Sequence, residues 1–206
     1  MRSLPLRAGL AVGLAFAFGA HVWAASAPVE HIAPNMAALA GQPMTTLPPP
    51  PPWVAGPSTS QWTIQQVMAE FKGATAKPPP ITYARLTFVR PDHQWLLAFV
   101  KWFRKLEKPL NMHYEDELFD CDKYSRCFVA FADLLAQKGG ETRGSLYVGW
   151  ATVFNDRSFG DIEAGGMHAV VIVGTSQGLF VVEPQNGSIV PFDRYPNRDG
   201  LAALYL

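Results

Sequence analysis

The sequence predicts an α+β domain, and two observations carry that expectation. Apolar residues recur at helical spacing between positions 62 and 135, then change to strand-like runs from position 145 onward. Helices that come first and strands that follow in short, turn-separated runs point to helices packed on an antiparallel β-sheet.

Each element has its own signal. Ile64, Val67, Met68 and Phe71 form the first helical stripe, and Gly73 supplies a stop. Lys77 and Pro78–Pro80 make an extended connector, and residues 81–90 alternate as a strand. Pro91-Asp92 opens a second helix whose stripe is Trp95, Leu96, Phe99, Val100, Phe103 and Leu106. Arg104, Lys105 and Lys108 suit the negative end of its dipole, and Pro109 ends it. A third helix starts near Asp120 or Cys121, carries Tyr124, Phe128, Phe131 and Leu135 on one face, and closes at Gly139-Gly140. Strands are expected at 145–153, 169–173, 179–182 and 188–192.

Ahead of these elements lie two segments of different character. Arg2 and Arg7 precede an apolar core from Ala8 to Phe18, and Val22-Trp23-Ala24 offers the small residues that a signal peptidase reads. Residues 1–24 are therefore expected to be a signal peptide, placing the working chain in a bacterial-type periplasm or outside the cell, with no stable membrane span after cleavage. Residues 25–60 are rich in Pro, Ala and Thr, with five consecutive prolines from Pro48 to Pro52, and read as a disordered linker. Residues 61–206 are expected to form a single domain.

The chain has 17 basic and 17 acidic residues, and losing the leader removes only Arg2 and Arg7. A balance so near neutral gives no electrostatic footprint for nucleic acid. Two cysteines do not make a disulfide scaffold. On one helix, Cys121 and Cys127 would stand roughly 9 Å apart along the axis, too far to bridge.

Three places carry candidate chemistry. Cys121 stands at the start of the third helix, where unpaired N–H groups and the helix dipole favour a thiolate. Asp120 and Asp122 beside it oppose that effect. His168 leads into the apolar run Ala169–Val173, and Glu183-Pro184-Gln185-Asn186 ends the next strand. A turn at Thr175-Ser176 sets His168 opposite Glu183, whereas a turn one residue later sets it opposite Gln185. Either way a polar side chain can orient the imidazole, in the arrangement used for covalent acyl transfer. Cys127 reads as structural, and His93 and His113 as surface or loop residues. Glu115, Asp116, Glu117, Asp120 and Asp122 lack the glycine-turn spacing of a calcium loop, so no metal or other cofactor is expected.

Asp120-Cys121-Asp122, His168-Ala169-Val170 and Glu183-Pro184-Gln185 together resemble the papain-like/transglutaminase-like cysteine peptidases. The likeness is nearest to the papain-like C-terminal domain of fungal agglutinins and to related bacterial and phage domains. It covers roughly residues 114–192. It implies a papain-like/transglutaminase-like core with Cys121 as nucleophile, His168 as general base and acid, and Glu183 as orienting residue. Gln185 or Asn186 is the alternative for that last role. The implied activity is that of an exported cysteine hydrolase (a thiol protease or amidase) cleaving a peptide or peptidoglycan amide bond. Acyl transfer to an amine is a variant. The alternative is a catalytically inactive papain-like binding or assembly module of the cell envelope. No upstream Gln supplies an oxyanion donor, and Asn111 is the nearest amide. The agglutinin relatives depend on Ca²⁺, which the resemblance leaves as a question for the acidic cluster.

Overall fold

A computed structural model of the chain describes residues 47–56, 61–113 and 120–206, which fall within one unit, Gln42–Leu206. The expected signal peptide, residues 1–24, lies outside the described residues, as do Glu115, Asp116 and Glu117.

The described elements are nine strands and three α-helices. In chain order they are β1 (Trp62–Thr63), α1 (Ile64–Ala74), β2 (Ile81–Thr82), β3 (Thr87–Val89), α2 (His93–Leu106), α3 (Cys121–Lys138), β4 (Ser145–Leu146), β5 (Val148–Phe154), β6 (Met167–Thr175), β7 (Gly178–Glu183), β8 (Ser188–Pro191) and β9 (Leu201–Tyr205). Side chains start each helix where the sequence offers them. Thr63 and Gln66 form a reciprocal capping box on α1, and Asp92 and Asp120 accept N–H bonds at the starts of α2 and α3.

The main sheet has six strands in the order β2-β9-β5-β6-β7-β8. Its central strand β6 is apolar without alternation because both of its faces are covered. Val148, Val171, Val173 and Val182 pack against α2 and α3. Ala151, Val153, Val170, Ile172 and Val181 pack on the other face with Ile64, Val67 and Phe71 of α1, and with Phe192, Tyr195 and Leu204.

Three features correct the expected papain-like/transglutaminase-like core, with its helices packed on an antiparallel sheet. First, the sheet is mixed, because β9 pairs in parallel with β2 on one side and antiparallel with β5 on the other. Second, the helices do not form one packed layer: α1 lies across the sheet from α2 and α3. Third, a second sheet of order β1-β3-β4 takes segments expected to belong to longer strands. The expected strand at 81–90 is split between the sheets as β2 and β3, and that at 145–153 breaks at Tyr147. The break coincides with a long-range contact. The Tyr147 ring fills the space beside Gly174, where a Cβ would stand 2.1 Å from Cδ1. The described residues form two sheets and three α-helices, with helices on both faces of the larger sheet.

The described part of the proline-rich stretch lies against this domain. Pro48 accepts the Trp102 indole N–H at 2.8 Å, and Trp53 meets Trp95 edge-on with ring centroids 4.8 Å apart.

The helix that carries Cys121 is held by aromatic packing. Phe128 of α3, fully buried, stands edge-on to Phe99 at 4.8 Å and to Phe103 at 5.1 Å. Phe128→Ala removes this contact and leaves a cavity, and should cost about 3–5 kcal/mol. Urea unfolding checks the figure. A loss below about 1 kcal/mol would show that α3 is anchored elsewhere.

Candidate functional site

The structure brings Cys121, His168 and Glu183 together. Cys121 is the first residue of α3 and is partly exposed. His168, 9 % exposed, is the second residue of β6 and pairs with Val153 of β5. Glu183 ends β7 and has no exposed surface.

The hairpin explains the juxtaposition. Its turn falls at Ser176-Gln177, and Thr175 pairs with Gly178 and Val171 with Val182. That is the second of the two expected registers. It makes Glu183 a diagonal neighbour of His168 rather than its direct opposite, and still on the same face. The His168 Nε2 lies 2.6 Å from Glu183 Oε2. The other carboxylate oxygen accepts the Gln185 N–H at 3.0 Å, so a fully buried acid has both oxygens satisfied. Gln185 therefore supports Glu183 through its backbone, and Glu183 holds the orienting position.

Burial alone would lower the His168 pKa. Hydrogen bonds to the Cys121 thiol and the Glu183 carboxylate, together with their charges, outweigh it and raise the pKa to about 9. The imidazole therefore stands between the thiol and the carboxylate and interacts with both.

The acids beside Cys121 are not free charges. Asp122 lies 2.7 Å from Arg126, whose guanidinium covers the Trp150 ring at 4.7 Å, and Asp120 lies 3.6 Å from Lys123. Burial raises the Asp122 pKa, helped by its hydrogen bond with Asp120. The same bond is the main reason that Asp120 is lowered.

The remaining candidates fall elsewhere. Cys127 packs against the core and burial raises its pKa, and both thiols are free. His93 stacks on Phe180 at 4.4 Å. Asn111 adopts φ 51° in the turn after α2. Among the described residues no group of three His, Cys, Asp or Glu side chains is placed to hold a metal ion, and no helix is long and apolar enough to cross a membrane.

Cys121 and His168 open into a cleft of about 380 Å³ that Asn155, Asp161, Ile162, Glu163, Gly165, Met167 and Gln185 also line. Its wall is the β5–β6 loop, which the sequence reading passed over. Asn155 holds that loop by donating to the Glu163 carbonyl at 2.5 Å, while its side-chain oxygen accepts from Asn197 at 2.5 Å. Asn197 also bonds both backbone groups of Arg157. Gly165 and Gly166, at φ 125° and 76°, turn the chain back into β6. The glycines were the available signal; the bond to Asn197, 42 residues away, left none.

No family model matches the chain, and no curated protein matches it. Solved structures share its fold, two of them at low sequence identity. A complex of PSL1a with E64 is 14 % identical with TM-score 0.53, and covers 71 % of this chain and 50 % of that one. The Polyporus squamosus lectin bound to the human-type influenza-binding epitope Neu5Aca2-6Galb1-4GlcNAc is 13 % identical with TM-score 0.54, and covers 71 % and 49 %. The chain thus spans about half the length of these neighbours.

These neighbours correct the peptidase expectations. One of these two neighbours is a lectin, and the papain-like/transglutaminase-like identification gives way to the fold the chain shares with them. The cysteine hydrolase, thiol protease and peptide-substrate readings are corrected with it, since one of these neighbours is solved with a glycan epitope and not a peptide.

Two measurements test the site. Cys121 should be alkylated by iodoacetamide far faster than Cys127 at pH 6, and His168→Ala should slow it at least about tenfold by removing the proton acceptor. Equal rates in the two proteins would show that the thiol does not depend on the imidazole. The raised His168 pKa also sets a stability window. The contribution is fully present below the unfolded value near 6.5 and is lost as pH rises through about 9. Glu183→Gln should therefore destabilise on the order of 2–3 kcal/mol at pH 6 and much less at pH 10. A pH-independent difference in unfolding free energy would remove His168 from the account.

Proposed function

We propose that this chain is an exported ligand-binding module whose cleft takes a saccharide, with Cys121, His168 and Glu183 as the reactive centre of that cleft. Export rests on the sequence of residues 1–24. The observation that carries the binding reading is the cleft itself: amide, carboxylate, thiol and imidazole groups converge on one concavity whose wall is held by buried hydrogen bonds.

One of those groups is unspent. The Gln185 Nε2 is buried and has no hydrogen-bond partner among the described residues. A buried donor without a partner costs about 1–3 kcal/mol, which a turn of the Gln185 side chain toward a sugar hydroxyl in the cleft would recover. The saccharide class is supported by the fold shared with a lectin whose solved structure holds a trisaccharide epitope.

Isothermal titration against a panel of neutral, amino and acidic oligosaccharides tests the proposal. At least one class should bind, and Gln185→Ala should weaken it about tenfold, the equivalent of one lost hydrogen bond. Absence of binding across the panel, or binding indifferent to both Gln185→Ala and His168→Ala, would overturn it.

A further inference from the structure

The carboxylates that line the cleft face no lining Lys or Arg among the described residues. Asp161 and Glu163 lie on its loop wall, both exposed, and Glu183 is buried behind His168. His168, the one basic side chain among the described lining residues, is already engaged by Glu183 and Cys121.

The two wall acids remain available. Asp161 accepts a bond from the Asn186 amide, a neutral partner, and Glu163 uses its backbone carbonyl, not its carboxylate, to hold Asn155. Neither acid is ion-paired among the described residues. The buried Asn155–Asn197 bond holds the loop at its Asn155 end, and the Glu163 carbonyl is fixed to the same side chain. The negative charge therefore sits at a set position. Beside it, Met167 lines the cleft and pairs across the sheet with Phe154, the two side chains 51 % and 55 % exposed, so that an apolar step adjoins the cleft.

We infer that the cleft selects saccharides bearing a free amine over N-acylated or acidic ones, with Asp161 and Glu163 as the residues that set this specificity. The inference rests on the saccharide reading given above. An ammonium group is attracted to both carboxylates, N-acetylation removes its charge without removing the sugar ring, and a sialic acid carboxylate is repelled. The apolar step gives the flat face of a pyranose ring a surface to cover.

The test titrates the purified chain with three ligands: a β1-4 glucosamine tetramer, its fully N-acetylated counterpart and a sialylated trisaccharide. Each is measured in the parent protein and in the Asp161→Asn/Glu163→Gln double variant. The amine tetramer should bind about tenfold tighter than the acetylated one at low salt, and the sialylated ligand weakest. The preference should fall to within about twofold in the double variant, and likewise at about 0.5 M salt, where charges more than a few ångströms apart are screened. Both substituted residues are exposed, so an unchanged circular dichroism spectrum shows that the variant is folded. Equal affinity for the amine and acetylated tetramers would overturn the charge inference and leave the saccharide reading standing. Failure of all three ligands to bind would overturn both.

Discussion

The structure depends most on one buried contact, the 2.6 Å bond between His168 and Glu183. A carboxylate with no exposed surface is expensive to desolvate, and it is tolerated only when hydrogen-bonded and matched by charge. Here the match comes from the neighbouring strand, so the β6–β7 register is set by electrostatics as well as by packing. A slip of one residue would send His168 and Glu183 to opposite faces of the sheet and leave the acid unpaired. Because β6 also pairs with β5 through Val153 and His168, the same constraint fixes where the β5–β6 loop begins. The strand order, the buried acid and the mouth of the cleft therefore form one coupled arrangement.

The thiol reaches this arrangement from the other side of the chain. Helix α3 carries Cys121 at its first position, and Phe128 two turns later ties the helix to Phe99 and Phe103 of α2. Its acidic start would disfavour a thiolate if Asp120 and Asp122 were isolated charges. They are neither isolated nor independent, since Lys123 and Arg126 pair with them and the two carboxyls share a hydrogen bond. The local sequence thus overstates the negative field at Cys121. A spacing of three or four residues along a helix supplies the compensation, and that spacing is readable only once the helix is granted.

The sequence was legible where chemistry sits at the edge of a periodic element. Cys121 opens an apolar helix, His168 leads an unbroken apolar strand, and Glu183 closes the next one, so all three could be placed by period and hairpin arithmetic. What stayed hidden was long-range. The parallel pairing of β2 with β9 joins two short segments that have no pattern of their own, and Tyr147 divides a run of strand-forming residues between two sheets through its packing on Gly174. The cleft wall hangs on Asn155 and Asn197, two amides whose separation in sequence gives no periodic trace. The resemblance to peptidases failed for a different reason. Three short motifs in the right order describe a hydrogen-bonded constellation, and a constellation does not by itself say what ligand the fold accepts.

That distinction has a physical basis in how this cleft is built. The His168–Glu183 pair is buried and self-satisfied: Glu183 has both oxygens occupied, and His168 is engaged by Glu183 and Cys121. The groups left unspent are on the wall and next to it, namely the Gln185 amide, Asp161, Glu163 and the exposed Phe154 and Met167. A ligand must satisfy these first, since they are the ones that gain from its arrival. The wall costs little to engage because its loop is already fixed by buried amide bonds and glycine turns, so binding forfeits little further conformational freedom. On the proposed reading, selectivity belongs to the loop between β5 and β6, while the buried pair of strands and the helix beneath it hold Cys121, His168 and Glu183. Substitutions in the loop can retune what enters the cleft without disturbing the buried acid on which the sheet depends.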